Sequence, residues 1–225
     1  MLPNYISELS EVLYNNADPL IAPAMKAYMK NKFEFLGIKK PDRAILVKPF
    51  LEKSARPATI DEVTTVVNTL WNLPEREFSY IALEILSKCH KLFQKESIYF
   101  IENLIIKNSW WDTVDGLASN EVGYIIEKYP ELKNEIVPRW IQSDNMWLNR
   151  TAIIFQLKYK NKVDTGLLEK AIVPHLESKE FFHRKAIGWA LRQYAYFNER
   201  WVMDFIDKYD SKLSNLSKRE ALKHF

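Results

Sequence analysis

The chain has a single cysteine, Cys89, and only five glycines among 225 residues. One thiol cannot close a disulfide within the chain, so a packed core has to hold the fold, and a reducing compartment suits it; a cytoplasmic location is expected. Five glycines are too few for the many tight turns of an all-β fold or for a glycine-rich nucleotide loop. No run approaches the roughly 18 consecutive apolar residues that a membrane span needs. The opening MLPNYISELSEV shows no basic stretch leading into an apolar one, so no membrane association is expected. His90, His175, His183 and His224 are scattered, without HExxH or paired-cysteine spacing, and argue against a metal site. Cys89 and His90 are adjacent, but neighbours on a helix point about 100° apart, which is not a nucleophile–base geometry. G-x-S-x-G and Walker loops are missing too. No metal and no cofactor are expected.

What is present is apolar residues at helical spacing. In Ser79–Phe93, Tyr80, Leu83, Ile85, Leu86 and Leu92 fall largely on one stripe. Asp61–Trp71 reads as a helix despite its β-branched residues, because acidic residues open it and Pro74 follows it. The same reading places helices at 5–14, 19–29, 43–53, 98–106, 111–129, 131–142, 147–159, 165–176, 182–196 and 199–208. No stretch alternates with period two, and no linker marks a second domain, so one all-α domain over 1–225 is expected. A repeat appears late in the chain. Ile136-Val137-Pro138 precedes Arg150-Thr-Ala-Ile-Ile-Phe-Gln-Leu157, and Ile172-Val173-Pro174 precedes Arg184-Lys-Ala-Ile-Gly-Trp-Ala-Leu191. A helix pair recurring at this spacing points to an α-solenoid, whose concave face, lined by successive second helices, suits a cylindrical partner.

The formal net charge is +3. Between Lys133 and Arg192 eleven Lys/Arg stand against six Asp/Glu, 11 − 6 = +5. This excess is compatible with phosphate binding, although a solvated helix surface explains it at least as well.

Asn108-Ser-Trp-Trp-Asp-Thr-Val-Asp115 is the most unusual segment. Ser109 is suited to cap the following helix and Asp112 to sit in its first turn. Trp111 and Asp115, four apart, share a face, and an aromatic wall beside a carboxylate suits a cation. On their own these residues read equally well as core tryptophans and early-helix acids. Arg150, Trp189 and Arg192 have plain readings as well: a solvent-facing arginine, a tryptophan filling the slot of Phe155 in the other copy, and a surface arginine. Phe181-Phe182 reads as a packing pair.

Together, S-W-W-D-x-V-D at 109–115, N-R-T-A-I at 149–153 and A-I-x-W-A-L-R-Q-Y at 186–194 resemble the AlkD family of bacterial DNA alkylation repair glycosylases, in order and spacing, over nearly the whole chain. The resemblance implies a HEAT-like fold with a concave face for duplex DNA. It implies that Asp115 is the catalytic carboxylate, that Trp111 and Trp189 contact the lesion nucleotide, and that Arg150 and Arg192 hold the DNA backbone. The partner implied is duplex DNA carrying alkylated purines, bound by a monomer. The chemistry is coherent. An N3- or N7-alkylated purine is cationic and leaves without a general acid, and one carboxylate suffices to stabilise the oxocarbenium-like sugar and orient water. Tryptophan faces attract the cationic nucleotide. The alternative is a non-catalytic HEAT-repeat scaffold for DNA or protein. Such a scaffold has no use for a carboxylate facing a polyanion.

Overall fold

A computed structural model describes residues 2–223; His224 lies outside them. Every regular element among the described residues is helical, and the one β-type pairing is an isolated bridge between Glu34 and Glu75. None of these helices is long and apolar enough to cross a membrane. The chain divides into two compact units, residues 1–93 and 94–225.

The first unit holds α1 (Leu2–Asn15), α2 (Ala22–Tyr28), α3 (Lys40–Leu51), α4 (Ile60–Trp71) and α5 (Arg76–Lys88). Its core shows how the periodicity works. On α4, Val63, Val66, Val67 and Leu70 recur at i, i+3, i+4 and i+7, and all four are fully buried. The Thr59 hydroxyl accepts from Glu62 N, while the Glu62 carboxylate accepts from Ala58 N, so capping outweighs the weak helix propensity of the β-branched run. On α5, buried Glu77 accepts from the backbone N–H groups of Leu36, Gly37 and Ile38 and pins that loop. Gly37 is obligatory there: its φ is +87°, and a Cβ would lie 2.1 Å from the Asp18 carbonyl oxygen.

The second unit contains α6 (Ser97–Ile106), α7 (Trp111–Gly116), a π-helical stretch (Leu117–Val122), α8 (Gly123–Lys128), α9 (Leu132–Glu135), α10 (Val137–Ile141), α11 (Met146–Ile154), α12 (Thr165–Ile172), α13 (Phe181–Ala195), α14 (Glu199–Lys208) and α15 (Asn215–Ala221). The repeat is visible in space. Pro138 sits in the first turn of α10 and Pro174 in the first turn of a 3-10 turn at Val173–His175, positions where a missing N–H costs nothing. Each leads into the second helix of its copy, α11 or α13, and these two pack on each other. Buried Asn149 donates to the carbonyls of Trp140, Ile141 and Ser143, which closes the end of α10 and fixes the start of α11.

Several boundaries differ from the sequence reading. The stretch 131–142 divides into α9 and α10 just before Pro138, and α11 stops at Ile154 rather than running to residue 159. Beyond it Gln156 exchanges two hydrogen bonds with the Asp164 backbone, which turns the chain into α12. The last helix, α15, has no apolar stripe to announce it. Its buried residues are Ser217, Glu220 and Ala221, and the Ser214 hydroxyl caps it.

Candidate active site

Asn108 takes the left-handed backbone, φ +52°, which asparagine tolerates better than most residues, and turns the chain out of α6. Trp110, in extended conformation, is the N-cap of α7. Ser109 does not cap this helix: its hydroxyl donates back to the Ile105 carbonyl at 2.5 Å, completing the end of α6 instead. Asp112 occupies the first turn of α7, and Asp115 follows three residues on, about 60° round the helix.

Asp115 and Arg150 form the centre. Arg150 Nε donates to Oδ1 at 2.7 Å and Nη2 to Oδ2 at 2.8 Å, a two-pronged fork. The third nitrogen, Nη1, donates to the Phe182 carbonyl at 2.6 Å. One guanidinium thus ties α7, α11 and α13 together. The Arg150 side chain is only 5% exposed, whereas Asp115 keeps 17%. Burial raises the Asp115 carboxyl above the usual carboxylate value; Arg150 pulls it back down, and Asp112 adds a smaller upward push. The pair therefore consists of a carboxylate with one side open to solvent, backed by a cation that is not.

The π-helical stretch after Gly116 contributes to this placement. Asp115 and Gly123 are eight residues apart, so on an unbroken α-helix they would point about 80° apart. A π turn absorbs one residue and brings them to within about 20°. Both then reach the α11 region: Asp115 meets Arg150, and the Gly123 carbonyl accepts from Tyr159 Oη at 2.7 Å. A Cβ on Gly123 would stand 2.8 Å from the Phe155 carbonyl oxygen, so only glycine permits this approach.

An aromatic cluster lies against the pair. The rings of Trp110, Trp147 and Phe182 meet mutually at centroid distances of 5.7, 5.0 and 4.9 Å. Phe182 also lies 5.8 Å below the Arg150 guanidinium carbon, and Phe181 extends the cluster with its ring 56% exposed. Sequence reasoning recognised the Phe181-Phe182 pair as packing but gave Phe182 no part in the site. Its contribution is a backbone carbonyl, which no residue type advertises.

The other expected site residues fall as follows. Trp111 and Trp189 are half-buried, neither exposed nor core. Trp189 does not repeat the slot of Phe155, which is fully buried. Arg192 is 23% exposed, and its Nη1 donates to Glu220 at 3.3 Å. Trp189 and Arg192 lie on the helix that supplies the Phe182 carbonyl, about 10 and 15 Å farther along its axis. Three of the five N–H donors of Arg150 are engaged inside the protein, two of them by the carboxylate it was to accompany. Much of the basic excess of 133–192 is likewise paired, Lys133 with Asp164, Arg139 with Glu102 and Lys162 with Glu127. The rings of His175 and His183, scattered in sequence, lie tilted with centroids 4.6 Å apart, and burial followed by the neighbouring His175 pushes His183 down to about 4. No group of three or more His, Cys, Asp or Glu able to hold a metal occurs among the described residues.

The chain belongs to the DNA alkylation repair enzyme family, whose pattern matches residues 9–225. Among solved structures it is similar to a protein from Enterococcus faecalis described as a predicted DNA alkylation repair enzyme, with 31% identity and a TM-score of 0.85 over 93% of this chain and 96% of that one. No curated protein sequence matches the chain.

Proposed function

We propose that this protein is a monofunctional DNA glycosylase that hydrolyses the N-glycosidic bond of cationic N3- or N7-alkylated purines in duplex DNA. The observation that carries the reading is the Asp115 carboxylate, buried on one side, accessible on the other and gripped by Arg150. A carboxylate in that position costs desolvation, which an enzyme recovers only where positive charge develops opposite it. The alkylated purine is already a good leaving group. As its bond to the sugar stretches, positive charge moves to C1′, and Asp115 stabilises that charge and orients the attacking water. Arg150 keeps the carboxylate ionised and aimed, acting through Asp115 rather than on the DNA. Trp111 and Trp189 present ring faces to the cationic nucleotide, each contact worth about 0.5–2 kcal/mol. Arg192, less enclosed than Arg150, holds the backbone. The product is an abasic site with an intact strand.

The test is release of free base. Incubated with duplex DNA methylated at purine nitrogens, the protein liberates 3-methyladenine or 7-methylguanine and leaves abasic sites. Tight duplex binding with no base above the spontaneous background would replace this reading with that of a non-catalytic scaffold.

A further inference from the structure

In the second unit, Glu220 is a nearly enclosed carboxylate surrounded by cations. Glu220 is 6% exposed. Its Oε2 lies 3.1 Å from Lys185 Nζ and 3.3 Å from Arg192 Nη1, and its Oε1 lies 2.7 Å from Lys223 Nζ. These contacts hold its carboxyl below the usual range, Lys223 contributing most. The three cations keep 35%, 23% and 47% of their side-chain surface exposed, so an enclosed anion is ringed by cationic ends that reach water. Three charges against one leave a surplus of +2.

The backbone is arranged to put Glu220 there. Lys185, Gly188 and Arg192 lie on one face of α13 at helical spacing. A Cβ on Gly188 would stand 2.4 Å from the Glu220 Cβ and 2.8 Å from the Ser217 carbonyl oxygen, so glycine is what lets α15 lie this close. Ser217 Oγ donates to the Arg184 carbonyl at 3.0 Å and fixes the crossing. The buried face of α15 thus sets Ser217 and Glu220 beside Ala221, and its central contact is a carboxylate between two cations almost two turns apart on α13. A helix docked only for stability would bury an apolar stripe.

We propose that Glu220 is a positioning residue, and that Lys185, Arg192 and Lys223 gathered round it form a cradle for a phosphodiester of the DNA backbone beside Trp189. This rests on the reading of the protein as a DNA-acting enzyme. Glu220 offsets the mutual repulsion of the cations and fixes their ends, so that a phosphate meets a preset array instead of ordering three flexible side chains itself. Its single charge still leaves the array attractive to an anion.

The experiment is duplex binding by fluorescence anisotropy over a salt series, with undamaged DNA and the variants Lys185→Ala, Glu220→Gln and Glu220→Asp. Losing one phosphate contact lowers the slope of log K against log salt by about 0.9, equivalent to roughly eightfold weaker binding at 0.1 M salt. Lys185→Ala gives that loss. Glu220→Gln gives at least as much although it makes the protein more cationic, and Glu220→Asp, which keeps the charge, restores part of it. Tighter binding by Glu220→Gln with an unchanged slope overturns the positioning role, because that is what simple removal of a negative charge does. An unchanged slope for folded Lys185→Ala overturns the cradle even if Glu220→Gln fails to fold. Base release plays no part in these readings. A chain that binds duplex through the cradle and excises nothing contradicts the glycosylase reading alone, and one that excises with unaltered slopes contradicts the cradle alone.

Discussion

Replacing Arg150 by glutamine removes both prongs of the fork on Asp115 while keeping a side chain of similar reach. Hydrogen bonds to a charged group are worth about 1.5–3 kcal/mol each. Because water reaches the 17% of Asp115 that is exposed, the lower figure applies, and two prongs amount to about 3 kcal/mol in favour of the ionised form. Losing that restraint raises the pH at which Asp115 takes up its proton in the variant. Burial already raises this carboxyl, and Arg150 is the group that restrains it. Excision needs the ionised carboxylate, so activity falls as pH drops through the raised value, and the acid limb of the profile shifts upward. The folded protein then holds the proton more tightly than the unfolded chain, so the variant gains stability relative to neutral pH as pH falls through the same window. The assay is single-turnover release of a methylpurine from duplex DNA between about pH 5 and 8, corrected for spontaneous depurination, with folding checked at each pH. Arg150→Lys, a point charge without the fork, gives a limb between the two. A loss of rate that is uniform across pH, with the limb unmoved, would refute the reasoning and return Arg150 to the DNA backbone.

Gly123→Ala puts a methyl group 2.8 Å from the Phe155 carbonyl oxygen and should destabilise the protein by about 1–3 kcal/mol, seen as a lowered urea midpoint, although alanine is the better helix former. Arg192→Ala should weaken binding to damaged and intact duplex alike and lower the salt slope by about one; an intact slope removes it from the phosphates. Trp111→Ala and Trp189→Ala should each slow excision more than they weaken overall duplex binding, and equal losses in both would make them packing residues.

Much of the fold was legible because an amphipathic helix writes its buried face into the sequence at fixed spacing. The α4 stripe of Val63, Val66, Val67 and Leu70 is an instance. What was not legible has other causes. The π turn after Gly116 depends on what α11 offers across the interface, and α15 is docked by Ser217 and Glu220, residues that look like surface. In the candidate site, the sequence named both Asp115 and Arg150 but not their pairing, since they are 35 residues apart. Arginine at that position reads as a hand for phosphate, and its fork on a carboxylate shows only in the fold. The Phe182 carbonyl is beyond any reading of side-chain types, and Glu220 stood in a segment with no periodic signal.

Asp115→Asn tests the central claim most directly. Asparagine keeps the size and one acceptor for Arg150 but removes the negative charge. It also leaves a buried cation unpaired, which can cost about 3–5 kcal/mol of stability, so excision is read per folded molecule. Asp112→Asn is the control, a first-turn carboxylate of α7 outside the Arg150 fork, costing about 0.3–1 kcal/mol of helix stability. If Asp115 stabilises the oxocarbenium-like transition state, its substitution lowers single-turnover excision of a cationic methylpurine by roughly a hundred- to a thousandfold while duplex affinity holds or tightens slightly. Asp112→Asn excises almost as the natural protein does. Undiminished excision by folded Asp115→Asn, or collapse in Asp112→Asn instead, would contradict the account.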